Sequence, residues 1–441
     1  MDDVTLTKHL KSQKKLHLRS CFSNLLNIRN LEKPLLKLDL ETLEKQLELF
    51  EHSRKSASAI TPFENPILAG NSKAQKTGFK ITQEKKAGCI LLAGGQGSRL
   101  GFDGPKGTFL ITPIKQKSLF QIFAEKVKAA SILTKQDLPL AIMTSPLNEK
   151  ETILFFKNNH FFGLNEKQVF FFSQTMLPFL DFEKKLVCKD PKTLALGPDG
   201  NGTLFNSFSK SGILDQWIQN GIEYLNIVLI DNPLGDPFDF ELFGHLVENN
   251  NDIILKSCKR TSSNEKVGLI VNEGKKTVVI EYHELPKKLV FKNNPAANLS
   301  MMAMKINFAK KMSSIKLPLH KVKKKADIFN LETNELIKPN EPNVWKFEKY
   351  LFDILPYSKS TSVLLYPRAD IFAPLKNLTG EDSVQSVQQA ILDKERKIFE
   401  MVTKKTAPKH LFELCQQFYY PTPELKHHCK NIDPNLTYFF K

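Results

Sequence analysis

The stretch Leu91 to Gly107, LLAGGQGSRLGFDGPKG, contains six glycines within seventeen residues. Its glycines follow directly on the apolar run Cys89 to Ala93, which is typical of a strand buried on both faces of a parallel sheet. Glycines let the backbone take positive φ and approach a ligand closely, so that successive N–H groups can face phosphate oxygens. Arg99 and Lys106 add positive charge. The stretch therefore predicts an anion-binding loop at the end of a buried strand in an α/β protein.

Two well-known glycine-rich loops do not match this spacing. A dinucleotide-binding loop needs G-x-G-x-x-G, whereas Gly95, Gly97 and Gly101 give G-x-G-x-x-x-G. In addition, no clear ribose-binding acid follows a second strand. A P-loop needs Gly-Lys-Ser/Thr, whereas Lys106 lies between Pro105 and Gly107. A flexible turn without a ligand is disfavoured, because loops so rich in glycine after a buried strand are seldom passive.

Further short apolar runs indicate the rest of a sheet. Leu140 to Met143, Val169 to Phe172 and Tyr224 to Ile230 alternate with helical or loop sequence, including a helix that Ser118 is predicted to cap. Strands that alternate with helices predict an α/β sheet with crossover connections. Between 253 and 282 the pattern becomes that of a hairpin, which predicts an antiparallel insertion beside the parallel sheet.

The flanking regions have a different character. Residues 1–84 are rich in Leu, Lys and Glu, with a helical pattern over Leu38 to Phe50 and a linker or arm over 59–78. The last segment has a helical pattern over Val384 to Val402. The sequence therefore predicts an N-terminal helical region over 1–84, a central domain over 85–377 and a C-terminal region over 378–441.

Composition restricts the classes of function. The 441 residues are 41% hydrophobic and 25% charged with 33 Phe, as in a folded globular protein, and no apolar run is long enough to span a membrane. The net charge of +16 fits phosphorylated substrates, but also nucleic acid or an acidic membrane; because the basic residues are dispersed, nucleic-acid binding is a minority interpretation. The six cysteines are far apart, which predicts free thiols, and we expect a cytoplasmic protein because the N-terminus lacks the apolar stretch of a secretory signal.

The order of motifs along the chain resembles one enzyme family. Gly-Gly-x-Gly-Ser-Arg-Leu-Gly followed by Pro-Lys-Gly is similar to the signature of nucleotide-sugar pyrophosphorylases, most closely the eukaryotic-type UDP-N-acetylglucosamine pyrophosphorylases. Ser98 stands where that family usually has Thr. The resemblance covers roughly 85–400 and includes Pro198 to Gly202, Asp231 with Asn232, Glu281 to Glu284, Leu336 to Pro339, Lys346 to Glu348 and Phe372 to Asn377. It implies a Rossmann-like nucleotidyltransferase (GT-A-like) fold: a central mixed sheet flanked by helices, with smaller N- and C-terminal regions.

The resemblance also implies roles for individual residues. The catalytic cations are Arg99, Lys106 and Lys376. The nucleotide-binding residues are Leu92, Ala93, Gly94, Gly95, Gly97, Ser98, Gln174, Pro198 and Gly200. The sugar-binding residues are Asn201, Gly268, Glu281, Asn294, Asn298, Tyr350 and Phe352. Asp231 is the implied ligand of Mg²⁺ (or Mn²⁺); taken alone, an Asp after a buried strand is either a metal ligand or a cap of the next turn, and Asn201 is either a ligand or a turn residue.

The implied reaction joins UTP and a sugar-1-phosphate, most closely N-acetylglucosamine-1-phosphate, into a UDP-sugar with release of pyrophosphate. A UTP–glucose-1-phosphate uridylyltransferase, or an enzyme that accepts both sugars, stays open, because the family's Asn-Ile-Ala-Asn segment is Pro295 to Asn298 here and Tyr350 replaces a Phe. The alternative from a different class is a non-catalytic basic protein that binds a nucleotide or nucleic acid. We expect small-molecule substrates and no nucleic-acid or membrane partner; oligomeric state is not predicted.

Overall fold

The apolar run before the glycine-rich loop is a strand, Ala87–Leu92, in which every residue is buried. This confirms the strand predicted before the loop.

This computed structural model describes residues 3–25, 31–51, 60–262, 265–282, 284, 296–429, 433 and 435–439.

The chain divides into two units that do not follow its linear order. The smaller unit comprises Met1–Ala57, Gln174–Thr203 and Lys316–Asp353, and the larger comprises Ser58–Ser173, Leu204–Ile315 and Ile354–Lys441. The sequence-based division at 84 and 377 follows the chain, whereas the structure groups segments that are distant in sequence.

A mixed sheet of eight strands forms the centre of the larger unit. In chain order the strands are β1 (Ile67–Leu68), β2 (Ala87–Leu92), β3 (Leu140–Thr144), β4 (Val169–Ser173), β5 (Tyr224–Leu229), β6 (Ile253–Ser257), β7 (Met301–Lys305) and β8 (Thr361–Leu365). Their order across the sheet is β1-β8-β6-β7-β5-β2-β3-β4. Strand β7 is antiparallel to both of its neighbours, and the other neighbouring pairs are parallel. The predicted α/β class with a mixed sheet is confirmed.

The chain order within this sheet reverses between β2 and β5. The two strands are parallel neighbours, with Leu92 opposite Leu229, so their carboxyl ends lie side by side. Ligands of open α/β sheets bind at such a point, outside the carboxyl ends of the strands. The glycine-rich loop follows β2 and Asp231 follows β5, so the register brings them to this edge of the sheet.

Helices of the larger unit pack around the sheet. The α-helices are Ser72–Gln83, Leu119–Thr134, Glu149–Asn158, Leu204–Lys210, Ile213–Gln219, Phe240–Glu248, Ile306–Met312, Arg368–Ile371, Val384–Thr403 and Pro423–His428. Short 3-10 helices are Ser98–Leu100, Lys106–Thr108, His160–Gly163, Glu166–Gln168 and Gln416–Phe418. The Ser118 hydroxyl accepts a hydrogen bond from Gln121 N–H (3.0 Å), which confirms the predicted cap, and the predicted C-terminal helix is also confirmed.

The predicted linker or arm over 59–78 is wrong from residue 72 onward, because the helix Ser72–Gln83 begins there. Asn71 caps it by accepting from Lys73 N–H and Ala74 N–H. Gly78 does not break this helix. A Cβ at Gly78 would lie 1.7 Å from Phe240 O, so the glycine allows a close approach to a neighbouring helix.

Two smaller sheets complete the larger unit. Ile60–Pro62, Leu269–Glu273 and Lys276–Ile280 form an antiparallel sheet with the turn at Gly274, which confirms the predicted hairpin. Residues Ile253–Ser257, which the sequence placed with the hairpin, belong to the large sheet as β6. Glu413–Leu414 pairs with Tyr438–Phe439.

The smaller unit has its own helices, sheets and apolar core. The α-helices are Asp3–Ser12, Glu32–Leu36 and Leu40–Glu51, and the 3-10 helices are Leu16–Leu25 and Asn201–Thr203. The strands are Met176–Pro178, Leu180–Asp181, Cys188–Asp190, Thr193–Leu194, Leu196–Pro198, His320–Lys324, Ile328–Asn330, Glu335–Ile337 and Val344–Glu348. Leucines of the N-terminal helices, including Leu10, Leu35 and Leu43, pack with Leu180 and Phe347, so the predicted helical segment contributes to this core.

Candidate active site

The glycine-rich loop is closed by its own backbone. Gly97 N–H donates to Gly104 O (3.0 Å), and Lys106 N–H donates to Gly95 O (3.1 Å). Gly101 and Gly104 have φ of 63° and 141°, a region that favours glycine. The loop therefore needs its glycines for its own shape, and Lys106 is fixed at its base.

Asn148 also holds this loop, a role that no local motif indicates. Its Nδ2 donates to Ala93 O (3.0 Å) and Gly95 O (3.2 Å), while its Oδ1 accepts from Ser145 N–H (2.8 Å). Asn148 is buried at the start of a helix that follows β3. Because Ala93 and Gly95 are more than fifty residues away in sequence, only the fold reveals these two contacts.

The predicted nucleotide-binding residues of the loop differ in exposure. The Leu92 and Ala93 side chains are buried, and Ala93 N–H donates to Met143 O (2.8 Å). Gly95, Ser98 and Arg99 are exposed, whereas Gly94 is half-buried and Gly97 is buried. Gly95, Ser98 and Arg99 are thus accessible to a ligand.

Lys106 and Asp231 lie close together at the carboxyl edge of β2 and β5. Lys106 Nζ is 4.0 Å from Asp231 Oδ2, and the side chains are 15% and 26% exposed. Burial lowers the pKa of Lys106 from its ordinary value; Asp231 opposes this effect, and the charges of Arg99 and Lys376 add to it. The structure therefore brings all three predicted cations and the predicted metal ligand together.

A backbone hydrogen bond next to Lys376 holds this residue near the carboxyl edge of β2 and β5. The preceding Leu375 N–H donates to Asp231 O (2.7 Å). Lys376 Nζ bonds to Asp382 Oδ2 (2.8 Å). Asp382 was not predicted, since nothing in its local sequence marks it as a partner.

Asp231 offers one oxygen to a ligand. Its Oδ1 is buried, and no donor among the described residues lies within hydrogen-bonding distance of it. Mg²⁺ binds oxygen, usually through one or two carboxylates, and keeps several waters or substrate phosphates. In the described part of the chain no three His, Cys, Asp or Glu side chains cluster as a metal site. A single available carboxylate oxygen suits a cation that takes most of its ligands from water or substrate better than a metal held by protein ligands alone.

A second group of predicted residues meets beside the hairpin. A Cβ at Gly268 would lie 3.0 Å from Glu281 Oε1, and Asn298 N–H donates to Gly268 O (2.8 Å). Gly268, Glu281 and Asn298 are therefore neighbours, as expected of residues that share a role. Asn294 lies outside the described residues.

In the smaller unit, the segment Pro198 to Gly202 forms a tight turn around Asp199. The buried Asp199 carboxylate accepts from the hydroxyls of Thr175 and Thr203, and burial raises its pKa. Gly200 has φ 89°, and a Cβ there would lie 2.4 Å from Lys349 O. Asp199 thus connects this turn to Thr175, the neighbour of the buried Gln174. The motif contained Asp199, but the sequence did not reveal that it binds both threonines.

Asn201 has a structural contact of its own. Its Oδ1 accepts from Leu351 N–H (2.9 Å), so it anchors the start of the 3-10 helix Leu351–Tyr357. The turn interpretation thus has a concrete basis, and the ligand interpretation stays a prediction.

Tyr350 and Phe352 stack, but not on a strand. Their ring centroids are 5.0 Å apart, and the ring centroid of His320 lies 4.3 Å from that of Tyr350. Their spacing of two residues would place both rings on one face if the segment were a strand, but Phe352 belongs to the 3-10 helix Leu351–Tyr357. His320, whose Nε2 is 2.7 Å from Asp353 Oδ2, completes an aromatic stack that the sequence did not indicate.

Comparisons with known proteins agree with these features. Residues 44–436 match the model of the UTP–glucose-1-phosphate uridylyltransferase (UDPGP) family. The chain belongs to this family. It is therefore a nucleotidyltransferase, an enzyme, and the predicted family resemblance is confirmed.

The curated relatives include pyrophosphorylases from two yeasts. A probable UDP-N-acetylglucosamine pyrophosphorylase of Schizosaccharomyces pombe is 32% identical over 356 residues, which cover 74% of each chain. The UDP-N-acetylglucosamine pyrophosphorylase of Saccharomyces cerevisiae is 32% identical over 344 residues, 73% of this chain and 72% of that protein.

Solved structures of similar fold include a putative UDP-N-acetylglucosamine pyrophosphorylase from Entamoeba histolytica, with 28% identity and a TM-score of 0.76 over 85% of this chain and 98% of that one. The uridine diphosphate N-acetylglucosamine pyrophosphorylase of Trypanosoma brucei has 21% identity and a TM-score of 0.78 over 100% of this chain and 99% of the other, a likeness of fold. None of the helices within the described ranges is long and apolar enough to cross a membrane.

Proposed function

We propose that this nucleotidyltransferase forms a UDP-sugar and pyrophosphate from UTP and a sugar-1-phosphate, with N-acetylglucosamine-1-phosphate as its sugar. The relatives described above, which are named for UDP-N-acetylglucosamine, support the choice of substrate. The observation that carries the chemistry is the grouping of Arg99, Lys376 and Asp231 around Lys106 at the carboxyl edge of β2 and β5.

The reaction requires positive charge more than a reactive side chain. A phosphate oxygen of the sugar attacks the α-phosphorus of UTP, a new P–O bond forms, and the bond to the β-phosphate breaks to release pyrophosphate. Two unit negative charges about 4 Å apart repel by about 1 kcal/mol in water and several times more in a partly dry site. Phosphoryl-type transfers depend mainly on alignment and charge stabilisation, so no side-chain nucleophile is needed.

The residues of the larger unit divide this task. Lys106, fixed at the base of the loop, would neutralise phosphate oxygens of UTP, and Lys376 those of the sugar phosphate. Arg99, exposed on the loop, adds a third cation. Asp231 would hold Mg²⁺ (or Mn²⁺), which supplies further positive charge to the phosphates when bound.

The remaining roles are also part of the proposal. The loop Gly94 to Ser98 would bind phosphate, Gln174, Pro198 and Gly200 would contact the uridine, and Gly268, Glu281 and Asn298 would contact sugar hydroxyls. The contact between Gly268, Glu281 and Asn298 supports a shared role. Asn201, Tyr350 and Phe352 are proposed sugar contacts.

We further propose that the large sheet is of the Rossmann-like nucleotidyltransferase (GT-A-like) type. The order β4-β3-β2-β5, with its reversal beside the glycine-rich loop, supports this classification. A cytoplasmic location is likewise a proposal, supported by six buried cysteines that are all free thiols.

Glucose-1-phosphate is the second candidate sugar. The matching family model is described by that substrate, and Tyr350 adds a hydroxyl where the resemblance implies Phe. Discrimination between such sugars is commonly worth about 1–3 kcal/mol, which a few contacts can supply or remove.

One assay tests the proposal and ranks the sugars. Pyrophosphate release is measured with UTP, Mg²⁺ and, in parallel, the 1-phosphates of N-acetylglucosamine, N-acetylgalactosamine and glucose. We expect the highest kcat/KM with N-acetylglucosamine-1-phosphate. A preference for glucose-1-phosphate would favour the second candidate, and no release with any sugar would favour the non-catalytic alternative.

A further inference from the structure

Asn232 connects the end of β5 to the segment that carries Lys376. Its side chain is fully buried. Nδ2 donates to Ile371 O (2.7 Å), and Oδ1 accepts from Ala373 N–H (2.9 Å). One amide thus holds two points of the same segment, and both of its functional atoms are used.

The backbone of the preceding residue continues this pattern. Asp231 O accepts a hydrogen bond from Leu375 N–H (2.7 Å). Residues 371, 373 and 375 are therefore each hydrogen-bonded to Asp231 or Asn232. Lys376 follows the last of these bonds. On its other side, its N–H donates to Asp382 O (2.7 Å) and its Nζ bonds to Asp382 Oδ2 (2.8 Å).

We propose that Asn232 is a positioning residue that fixes Lys376 relative to Asp231 and Lys106. The inference rests on the proposed function, in which Lys376 neutralises the sugar phosphate. Asn232 itself is buried and acts through Lys376. Its two hydrogen bonds and the adjacent Asp231–Leu375 bond set the distance between the proposed metal ligand and this cation.

The residue type at 232 follows from the contacts. An apolar replacement would leave Ile371 O and Ala373 N–H without these partners, and a polar group that loses its partner away from water destabilises the folded segment. Aspartate would keep the acceptor for Ala373 N–H but would lose the donor to Ile371 O. Asparagine supplies both within one planar group.

A double-mutant cycle tests this role with a matched control. Asn226 lies on β5, is also buried, and donates to Asp236 O (2.8 Å) and Pro237 O (3.0 Å) instead of the 371–375 segment. The variants are Asn232→Ala and Asn226→Ala, each alone and combined with Lys376→Ala. The measured quantities are kcat, and KM for UTP and for the sugar-1-phosphate.

We expect Lys376→Ala to lower kcat by about 10²-fold, the size typical of one lost transition-state contact. Asn232→Ala alone should lower kcat by at least about 10-fold, with little change in KM for UTP. When Lys376 is already alanine, Asn232→Ala should lower kcat by less than about 3-fold more. In the Asn226→Ala/Lys376→Ala double variant, the fold-losses in kcat of the two single variants should multiply, because Asn226 does not act through Lys376. Independent, multiplying effects of Asn232→Ala and Lys376→Ala would overturn the inference.

Hydrogen–deuterium exchange separates this inference from the proposed function. Asn232→Ala, or Asn232→Asp if the alanine variant does not fold, should speed exchange in a peptide that covers 371–377, whereas Asn226→Ala should not. Unchanged exchange there would contradict the inference even in an active enzyme. If the wild-type chain releases no pyrophosphate, the proposed reaction fails, and the exchange result still decides whether Asn232 holds this segment.

Discussion

Lys106 Nζ lies 4.0 Å from Asp231 Oδ2, which joins the base of the glycine-rich loop to the end of β5. The two charges come from neighbouring parallel strands whose carboxyl ends share one edge of the sheet. Asp231 Oδ1 has no hydrogen-bond donor within the described ranges. The pair therefore places a cation and an available carboxylate oxygen where phosphates are proposed to bind.

Replacement of Lys106 by alanine should lower turnover by about 10²-fold or more, because it removes one preorganised cation from the transition state. The measurement is kcat for pyrophosphate release. Lys150→Ala, on an exposed position of the helix Glu149–Asn158, controls for the loss of one positive charge. A Lys106→Ala enzyme with near-normal kcat would show that this lysine does not act on the reacting phosphates.

Removal of divalent metal should abolish pyrophosphate release, and added Mg²⁺ should restore it. Asp231→Asn should raise the Mg²⁺ concentration needed for half-maximal rate, because an amide oxygen binds the cation more weakly than a carboxylate does. Asp215→Asn, at an exposed position, is the matched control. The same Mg²⁺ dependence in Asp231→Asn and wild type would exclude Asp231 as the metal ligand.

Local sequence was sufficient for the strand Ala87–Leu92, the Ser118 cap and the hairpin at Gly274, because each depends on neighbouring residues. It also placed Lys106 and Asp231 at strand ends, and parallel strands then bring them to one edge. That much of the candidate site is readable before the fold is known.

Contacts between distant residues were not readable. Gly78 suggested a linker, yet it serves a close helix approach to Phe240, more than 150 residues away. Asn148 and Asn232 bind backbone atoms far along the chain, and an asparagine carries no local sign of such a partner. The grouping of 174–203 and 316–353 with the N-terminal helices likewise depends on shared core packing, which spacing along the chain does not reveal.

Gly200→Ala should destabilise the smaller unit more than Gly212→Ala destabilises the larger. Both glycines have φ near 80–90°, so alanine is strained at each, at a cost of about 1 kcal/mol. At Gly200 the new Cβ would also lie 2.4 Å from Lys349 O, whereas nothing lies within 4 Å at Gly212. Overpacking adds about 1–3 kcal/mol. Thermal unfolding measures the difference, and equal shifts in Tm would contradict the crowding at Gly200.

Glu395, on the helix Val384–Thr403, is the basis for a prediction about pH. It is buried, and its Oε2 accepts from Leu414 N–H (3.0 Å). Burial raises the pKa of Glu395 from its ordinary 4.5 to about 8, partly opposed by that hydrogen bond and by the charge of Lys117. The folded state therefore binds a proton that the unfolded state has released between pH 4.5 and 8. The contribution of this group to stability is full below pH 4.5 and is lost as pH rises through 8.

Glu395→Gln should remove this dependence, because glutamine stays neutral and keeps an oxygen that can accept from Leu414 N–H. The variant should have the same free energy of unfolding as wild type near pH 5 and should be increasingly more stable than wild type as pH rises to 8. The reason is that each pH unit in this window lowers the free energy of unfolding of wild type by up to about 1.4 kcal/mol. Urea unfolding at several pH values measures the difference in free energy of unfolding between the variant and wild type. The contributions of titratable groups that both proteins share cancel in this difference. Glu400→Gln, exposed on the same helix, controls for the lost charge. A difference that stays constant from pH 5 to 8 would mean that the buried carboxyl does not keep its proton in the folded protein.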